Sequence, residues 1–377
     1  MPQPDPTALA LAAEPPPATE PSADPEVEAA RILGICNACR YCEGFCAVFP
    51  AMTRRLAFGR ADVRYLANLC HNCGSCLHAC QYAPPHAFTL NVPQTMARVR
   101  LRTYAEYTWP APFGALYARN GIALSLALAA AVALFLLLAP PGAPWRAVPG
   151  GNFYAVFPHT LMATVFGAAF LYALAALGVA SLRFWRAIAM PAPDLPSALD
   201  AAAAVATMRY LGGGHGEGCN EQDDRFSLLR RTGHHLLFYG VLLCFLSTSV
   251  ATLYHYLLRS EAPYAYLSVP PLLGIAGGVL MVPGALLLLW LNLRRHRLHG
   301  DPGQRPMDVG FIALLLLTAA TGLALAALRA SPAMPGLLAV HLGAVLALFL
   351  TLPYGKFLHA PLRAVALLKW AVERRHL

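Results

Sequence analysis

Along the C-terminal part of the chain, apolar residues come in long unbroken runs rather than in the alternation of a strand or the stripe of a surface helix. Six runs, 121–139, 157–181, 234–258, 269–292, 309–328 and 336–358, are each 19 to 25 residues long. That is enough to cross ~30 Å of hydrocarbon at ~1.5 Å per residue. A buried helix of a soluble protein has no reason to repeat that length so often, so residues 109–377 are predicted to form a six-helix transmembrane bundle. The basic residues between the runs give its orientation. Arg98, Arg100, Arg102 and Arg119 precede the first run, and Arg183, Arg186, Arg209, Arg225, Arg230 and Arg231 separate the second from the third. Arg294, Arg295, Arg297 and Arg305 separate the fourth from the fifth, while Arg363, Lys369, Arg374 and Arg375 follow the sixth. The alternate connections carry only Arg146, Arg259 and Arg329. By the positive-inside rule both termini are expected in the cytoplasm, in a multi-pass protein of the inner (plasma) membrane.

Residues 29–108 have another character. Their cysteines form two identical runs, Cys36-x2-Cys39-x2-Cys42-x3-Cys46 and Cys70-x2-Cys73-x2-Cys76-x3-Cys80. This is the spacing that wraps thiolates around a cubane iron–sulfur cluster, with the fourth cysteine of each run ligating the other cube. One [4Fe–4S] cluster is therefore expected on Cys36, Cys39, Cys42 and Cys80, and a second on Cys70, Cys73, Cys76 and Cys46. A zinc site would use two C-x2-C pairs and a disulfide framework would need an oxidising compartment; neither explains the repeated run. The fold class is thus mainly α: a small ferredoxin-like, α-helical dicluster domain followed by the membrane bundle. Between the runs, residues 52–66 read as one helix whose Arg54, Arg55, Arg60 and Arg64 form either a solvated face or a docking face for an acidic partner.

Composition sharpens this picture in two places. The chain is 57% hydrophobic and only 12% charged, with a formal net charge of +9. The excess positive charge belongs to the membrane loops, and without a basic stripe interleaved with aromatics no nucleic acid is expected as a partner. Residues 1–28 hold no Lys or Arg and are rich in Pro, Ala and acidic residues, which predicts a disordered tail and not an export signal.

Histidines within apolar runs need a reason. His341 and His359 are 18 residues apart, five helical turns, which on one helix puts them on one face ~27 Å apart. One or two b-type haems stacked across the bilayer would use such a pair. The second ligands at matching depth are His234 or His235 beside His359 and His255 beside His341, with His159 competing for the outer position. A helix-end anchor or a carbonyl hydrogen bond is the plain alternative for each interfacial histidine. His71, His78 and His86 are expected to pack or hydrogen-bond, and Lys356, Arg230 or Arg231 to snorkel or meet a haem propionate. Cys219 and Cys244 are spare, the latter a small core residue. The glycines of 212–218 lack the G-x-G-x-x-G spacing, so the chain shows no flavin or dinucleotide site of its own.

Cys39-Arg-Tyr-Cys42-Glu-Gly-Phe-Cys46-Ala-Val-Phe-Pro50 and Leu69-Cys70-His-Asn-Cys73-Gly-Ser-Cys76-Leu-His-Ala-Cys80-Gln-Tyr-Ala-Pro-Pro-His86 resemble the tricarballylate/citrate utilization protein B family. So do Arg231-Thr-Gly-His-His-Leu-Leu-Phe-Tyr239 and Leu352-Pro-Tyr-Gly-Lys-Phe-Leu-His359. The last helix is also similar to the final haem helix of nitrate reductase gamma subunits, although those subunits place two ligands on one helix closer together than His235 and His255. The resemblance implies a membrane subunit that reoxidises a cytoplasmic FAD-dependent dehydrogenase acting on tricarballylate and passes its electrons through the clusters and haem to membrane quinone. A membrane redox sensor, or a quinone reductase fed by ferredoxin, is the competing expectation.

Overall fold

The computed structural model describes residues 22–138, 147–213 and 216–376. The expected tail as far as residue 21, the end of the first apolar run at Ala139, Arg146, and Gly214 and His215 of the glycine run lie outside the described residues. The rest of the expected tail is helical. Asp24 accepts hydrogen bonds from the amides of Glu26 and Val27, and Pro25 occupies the first turn of α1 (Pro25–Cys39), the pairing that starts a helix.

The N-terminal domain continues with α2 (Val48–Met52), α3 (Arg60–Leu69), α4 (Ser75–His78) and α5 (Val92–Tyr107). Helices α1, α3 and α5 pack together around Ile32, Leu33, Met52, Tyr65, Leu66, Leu69, Met96 and Tyr104, all essentially without solvent exposure. Residues 52–66 are not the single helix expected. The chain leaves α2 after Met52 and starts again at Gly59, whose amide is met by Asp62 Oδ2 at 3.3 Å, a cap that fixes the start of α3. Arg54 and Arg60 are exposed, while Arg55 and Arg64 are drawn inward. Arg55 bridges Asp62 and Glu373, Arg64 reaches Glu26 and Glu106, Arg60 pairs with Glu26, and Arg54 donates to the Glu373 carbonyl.

Among the described residues, five helices are long and apolar enough to cross a membrane: α7 (His159–Ala187), α9 (Leu229–Tyr256), α10 (Val269–Arg294), α11 (Arg305–Leu328) and α12 (Met334–Thr351). Helix α6 (Asn120–Leu138) is a sixth apolar helix of 19 residues. Outward leucines such as Leu126, Leu171, Leu174, Leu253 and Leu286 are exposed along these helices, the surface a lipid-facing bundle presents.

Small residues set the closest helix pair. A Cβ on Gly240 would stand 2.8 Å from the Gly277 carbonyl oxygen, and one on Gly277 would stand 2.7 Å from that of Gly240. Helices α9 and α10 therefore touch backbone to backbone, the packing that replaces hydrophobic driving force within lipid.

The sixth run is not one helix. Helix α12 stops at Thr351, two single tight turns follow, and α13 (His359–His376) starts at His359 itself. Pro353 lacks an amide hydrogen and restricts the residue before it, while Gly355 is fully extended at φ −125° and ψ −168°. His341 and His359 thus lie on separate helices, and the five-turn register expected between them does not exist. Helix α13 packs on α3, α7 and α8 (Leu195–Ala206). Its Glu373 meets Arg55 and Tyr65, and its Lys369 Nζ donates to the Ile188 carbonyl at 2.5 Å. One amphipathic helix thereby ties the N-terminal domain to the bundle.

Candidate functional site

The eight cysteines sit where short helices end. Cys36 and Cys39 occupy the last turn of α1, and Arg40, in the left-handed region at φ 56°, turns the chain away toward Cys42. Cys46 precedes α2, Cys70 caps α3, and Gly74 at φ 82° turns the chain into α4, which carries Cys76; Cys80 follows. They gather crosswise into two pockets. Cys36, Cys39, Cys42 and Cys80 line one, with Tyr41 and Tyr82. Cys46, Cys70, Cys73 and Cys76 line the other, with Phe45 and Val92. Cys76 also reaches the rim of the first pocket.

No disulfide joins any described cysteine. Among the described residues no three His, Cys, Asp or Glu converge tightly enough for a single metal ion. A lone tetrahedral ion draws its sulfurs to ~2.3 Å from one centre, whereas four irons at the corners of a cube hold theirs farther apart. Burial first, and neighbouring cysteines second, push the Cys36 and Cys42 thiols up to about 12. Burial likewise drives Cys46 and Cys76 well above their ordinary value. Four thiolates so enclosed repel one another unless a multiply charged cation separates them, which is the donor set an iron–sulfur cube needs. Cys73 goes the other way, to about 6, lowered first by the neighbouring Cys219 and then by the Ser75 amide, while the Cys219 thiol itself donates to the Leu211 carbonyl at 3.3 Å. Cys219 was legible only as a spare cysteine in a polar loop. It packs beside Cys73 and Leu211, on the strand pair β1 (Cys219–Asn220) and β2 (Phe226–Ser227).

The pockets differ in what surrounds them. Around the first, Cys39 and Tyr41 are exposed. The second is closed over by loops of the bundle. The Asn220 amide donates to the Cys73 carbonyl at 3.0 Å and Asn72 Nδ2 to the His299 carbonyl at 2.7 Å. Gly74 admits this closure: a Cβ there would lie 2.7 Å from both the Asn220 oxygen and His299 Cε1. His78 Nε2 and His299 Nε2 meet at 2.7 Å, and His78 Nδ1 meets Asp224 at 2.9 Å. Arg363, Arg100 and Arg230 donate to the carbonyls of Cys70 (2.5 and 3.3 Å) and Asn72 (3.2 Å).

Below this pocket the bundle presents histidines. His234 Nδ1 faces the Arg230 carbonyl at 2.8 Å and His359 Nδ1 the Lys356 carbonyl at 2.5 Å. A carbonyl only accepts, so each Nδ1 carries the proton and each Nε2 is left with its lone pair, the state of a metal-ligating imidazole. No partner meets either Nε2 among the described residues. Burial drives His359 well below its ordinary value, and Lys356, Arg363 and then His234 add to it. His71 is tied in the same way, Nδ1 to the Leu69 carbonyl at 3.0 Å. His235 turns aside to Tyr239, ring centroids 6.0 Å apart, while His86 packs between Tyr82 and Phe88. The cations expected at haem propionates are already paired, Lys356 with Asp308 at 2.8 Å and Arg230 with Glu221; Arg231 donates to the Thr207 carbonyl.

The expected outer pair does not form. His255 stacks on His159, ring centroids 3.7 Å apart and planes at 17°, beside Tyr154 and Tyr256. His341 lies deeper in the bundle, its Nδ1 3.0 Å from Thr321 Oγ1 and its ring against Gly322 of α11. His159 and His255 fall at helix ends that the turn at residues 153–155 brings together, whereas His341 enters α12 two turns from its start.

Two family profiles divide the chain as the structure does. Residues 29–106 match the Citrate utilization protein B Fer4-like domain, and residues 115–377 match Citrate utilization protein B. Over 354 residues, 93% of each chain, the protein is 56% identical to Citrate utilization protein B of Escherichia coli. The chain belongs to the citrate utilization protein B family. A Fer4-like domain carried on a bundle of membrane-length helices fits an iron–sulfur, membrane-bound electron-transfer role within that family. No solved structure matches the chain.

Proposed function

We propose that the protein is the membrane electron-transfer subunit of a flavoprotein:quinone oxidoreductase system. It takes electrons from a cytoplasmic FAD-dependent, tricarballylate dehydrogenase-like partner and delivers them to the quinone pool. The observation that carries this reading is the crosswise gathering of eight cysteines into two pockets, one open to solvent and one closed over by the membrane bundle. The thiols of Cys36, Cys39, Cys42 and Cys80 would hold one [4Fe–4S] cluster, and those of Cys46, Cys70, Cys73 and Cys76 the other. His234 and His359, with free Nε2 atoms at the same end of the bundle, would ligate a single b-type haem. When bound, these groups each carry one electron at a time.

The chain's own residues do the rest. Exposed Cys39 and Tyr41 leave the first pocket within reach of a docking flavoprotein. The loops carrying Asn220 and His299 keep water from the second pocket and hold it against the bundle. The carbonyls of Arg230 and Lys356 fix the imidazole tautomers and orient both rings. In this reading His341, whose Nδ1 meets Thr321, and the stacked His159 and His255 take no part in the relay. With its basic connections on the side of the N-terminal domain, the bundle would keep both pockets in the cytoplasm.

Replacing Cys36 or Cys73 with alanine tests the relay. Quinone reduction should be lost while the partner's flavin is still reduced by its own substrate. Full quinone reduction by either variant would refute the proposal.

A further inference from the structure

The first cysteine pocket borders solvent, and the surface around its mouth has a definite character. Cys39, Arg40 and Tyr41 are exposed in succession, Tyr41 to 67%. A second turn, residues 53–59, is held against this one: Asn37 Nδ2 donates to the Arg55 carbonyl at 2.8 Å, and Thr53 Oγ1 to Glu43 Oε1 at 3.4 Å. In that turn Leu56 is fully exposed. Among the described residues of the N-terminal domain, three large apolar side chains are exposed, Val27, Tyr41 and Leu56. Two of the three therefore stand beside the one pocket that opens outward.

The turn that carries Leu56 is firmly tied. Arg55 Nη1 donates to the Ala51 carbonyl at 2.6 Å, its other nitrogens meet Asp62 and Glu373, and Arg54 donates to the Glu373 carbonyl. A leucine fixed in water adds nothing to the fold. Covered by a partner, it gains its transfer free energy without a further ordering cost. The charges nearby are mainly positive. Arg40 donates to the Asn37 carbonyl and Arg54 to that of Glu373; both are exposed and neither has a carboxylate partner among the described residues. The exposed Glu43 offsets one of them.

We propose that Tyr41 and Leu56, rimmed by Arg40 and Arg54, form the docking surface for the FAD-dependent dehydrogenase, which meets them with an apolar recess in an acidic rim beside its flavin. This rests on the relay proposed above. An apolar anchor gives such an interface its affinity, and the charged rim gives it rate and orientation. In the step served, the partner's reduced flavin gives one electron to the Cys36/Cys39/Cys42/Cys80 site and releases a proton to water; no other bond changes.

The test uses the full chain in detergent and follows the bleaching of iron–sulfur absorbance. The donor is either the purified, substrate-reduced dehydrogenase over a range of concentrations or reduced methyl viologen, which needs no docking and so measures the site itself. Leu56→Asp should raise the dehydrogenase concentration for half-maximal rate by about tenfold relative to the viologen rate. Arg40→Glu should raise it less and flatten its dependence on salt. Val27→Asp serves as the control, since Val27 lies on α1 ~18 Å along the helix from Cys39 and should leave the half-saturation unmoved. Unchanged half-saturation in Leu56→Asp, or an equal shift in Val27→Asp, would overturn the proposal. A changed oligomeric state of Leu56→Asp with unmoved half-saturation would also overturn it, by assigning the surface to a second copy of the chain. A wild type reduced by viologen but never by the dehydrogenase would instead refute the relay on which the proposal rests.

Discussion

The two cysteine pockets are written with one spacing and built in two settings. The first is closed only by its own domain: α1 ends at it, Tyr41 and Tyr82 flank it, and Cys39 is open to solvent. The second lies beneath residues that follow in sequence by 147 to 293 positions: Asn220, Arg230, His299 and Arg363. The difference teaches that spacing decides which thiols gather together, whereas the surroundings of each pocket are decided by what the later chain places around it.

The comparison breaks most sharply at Gly74. Gly74→Val would drive side-chain atoms into the Asn220 carbonyl and His299 and strain a left-handed φ. We expect it to remove the second cluster and leave the first, halving the non-haem iron from about eight to about four per chain, measured by iron assay on purified protein. Unchanged iron would mean that the bundle's loops do not hold the second site together.

The next effect is on stability. Glu373 and Arg55 form a nearly buried pair, with side chains 6% and 12% exposed. Removing one partner of such a pair costs about 3–5 kcal/mol. Glu373→Gln should therefore lower the thermal midpoint of the detergent-solubilised protein markedly, while Arg60→Gln, on an arginine side chain 68% exposed, should barely move it. Equal effects would show that α13 does not clamp the two domains.

A smaller, spectroscopic effect separates the two ends of the bundle. His234→Ala or His359→Ala should abolish the b-type haem bands, whereas His235→Ala should keep them. Least of all should follow from His159→Ala or His341→Ala, which leave haem and iron at wild-type levels. Haem loss on removing His341 would restore the second, outer ligand pair.

Much of this arrangement was legible in the residues. The crosswise grouping of the cysteines follows from their spacing, because two-residue gaps allow three sulfurs to reach one cube while the fourth continues past it. The long apolar runs gave the membrane helices, except where local chemistry overrode hydropathy. Pro353 and Gly355 stood in plain view inside an apolar run, yet the run's length suggested one helix, and with it a false register between His341 and His359. Arg55 and Arg64 looked like a solvated or docking face because Glu373 and Glu106 are remote in sequence. Cys219 carried no signal, since a hairpin of two residues per strand packs it beside Cys73. The stack of His255 on His159 depends on how the turn at residues 153–155 brings α7 and α9 together, which no periodicity within either helix encodes.

The most direct test of the account is a reduced-minus-oxidised visible spectrum of the purified full chain, with haem measured as the pyridine haemochrome and iron assayed on the same sample. Two cubes above one haem predict about eight non-haem irons with b-type bands at one haem per chain. About eight irons without b-type bands would return His234 and His359 to structural roles. Zinc in place of iron would contradict the account at its centre.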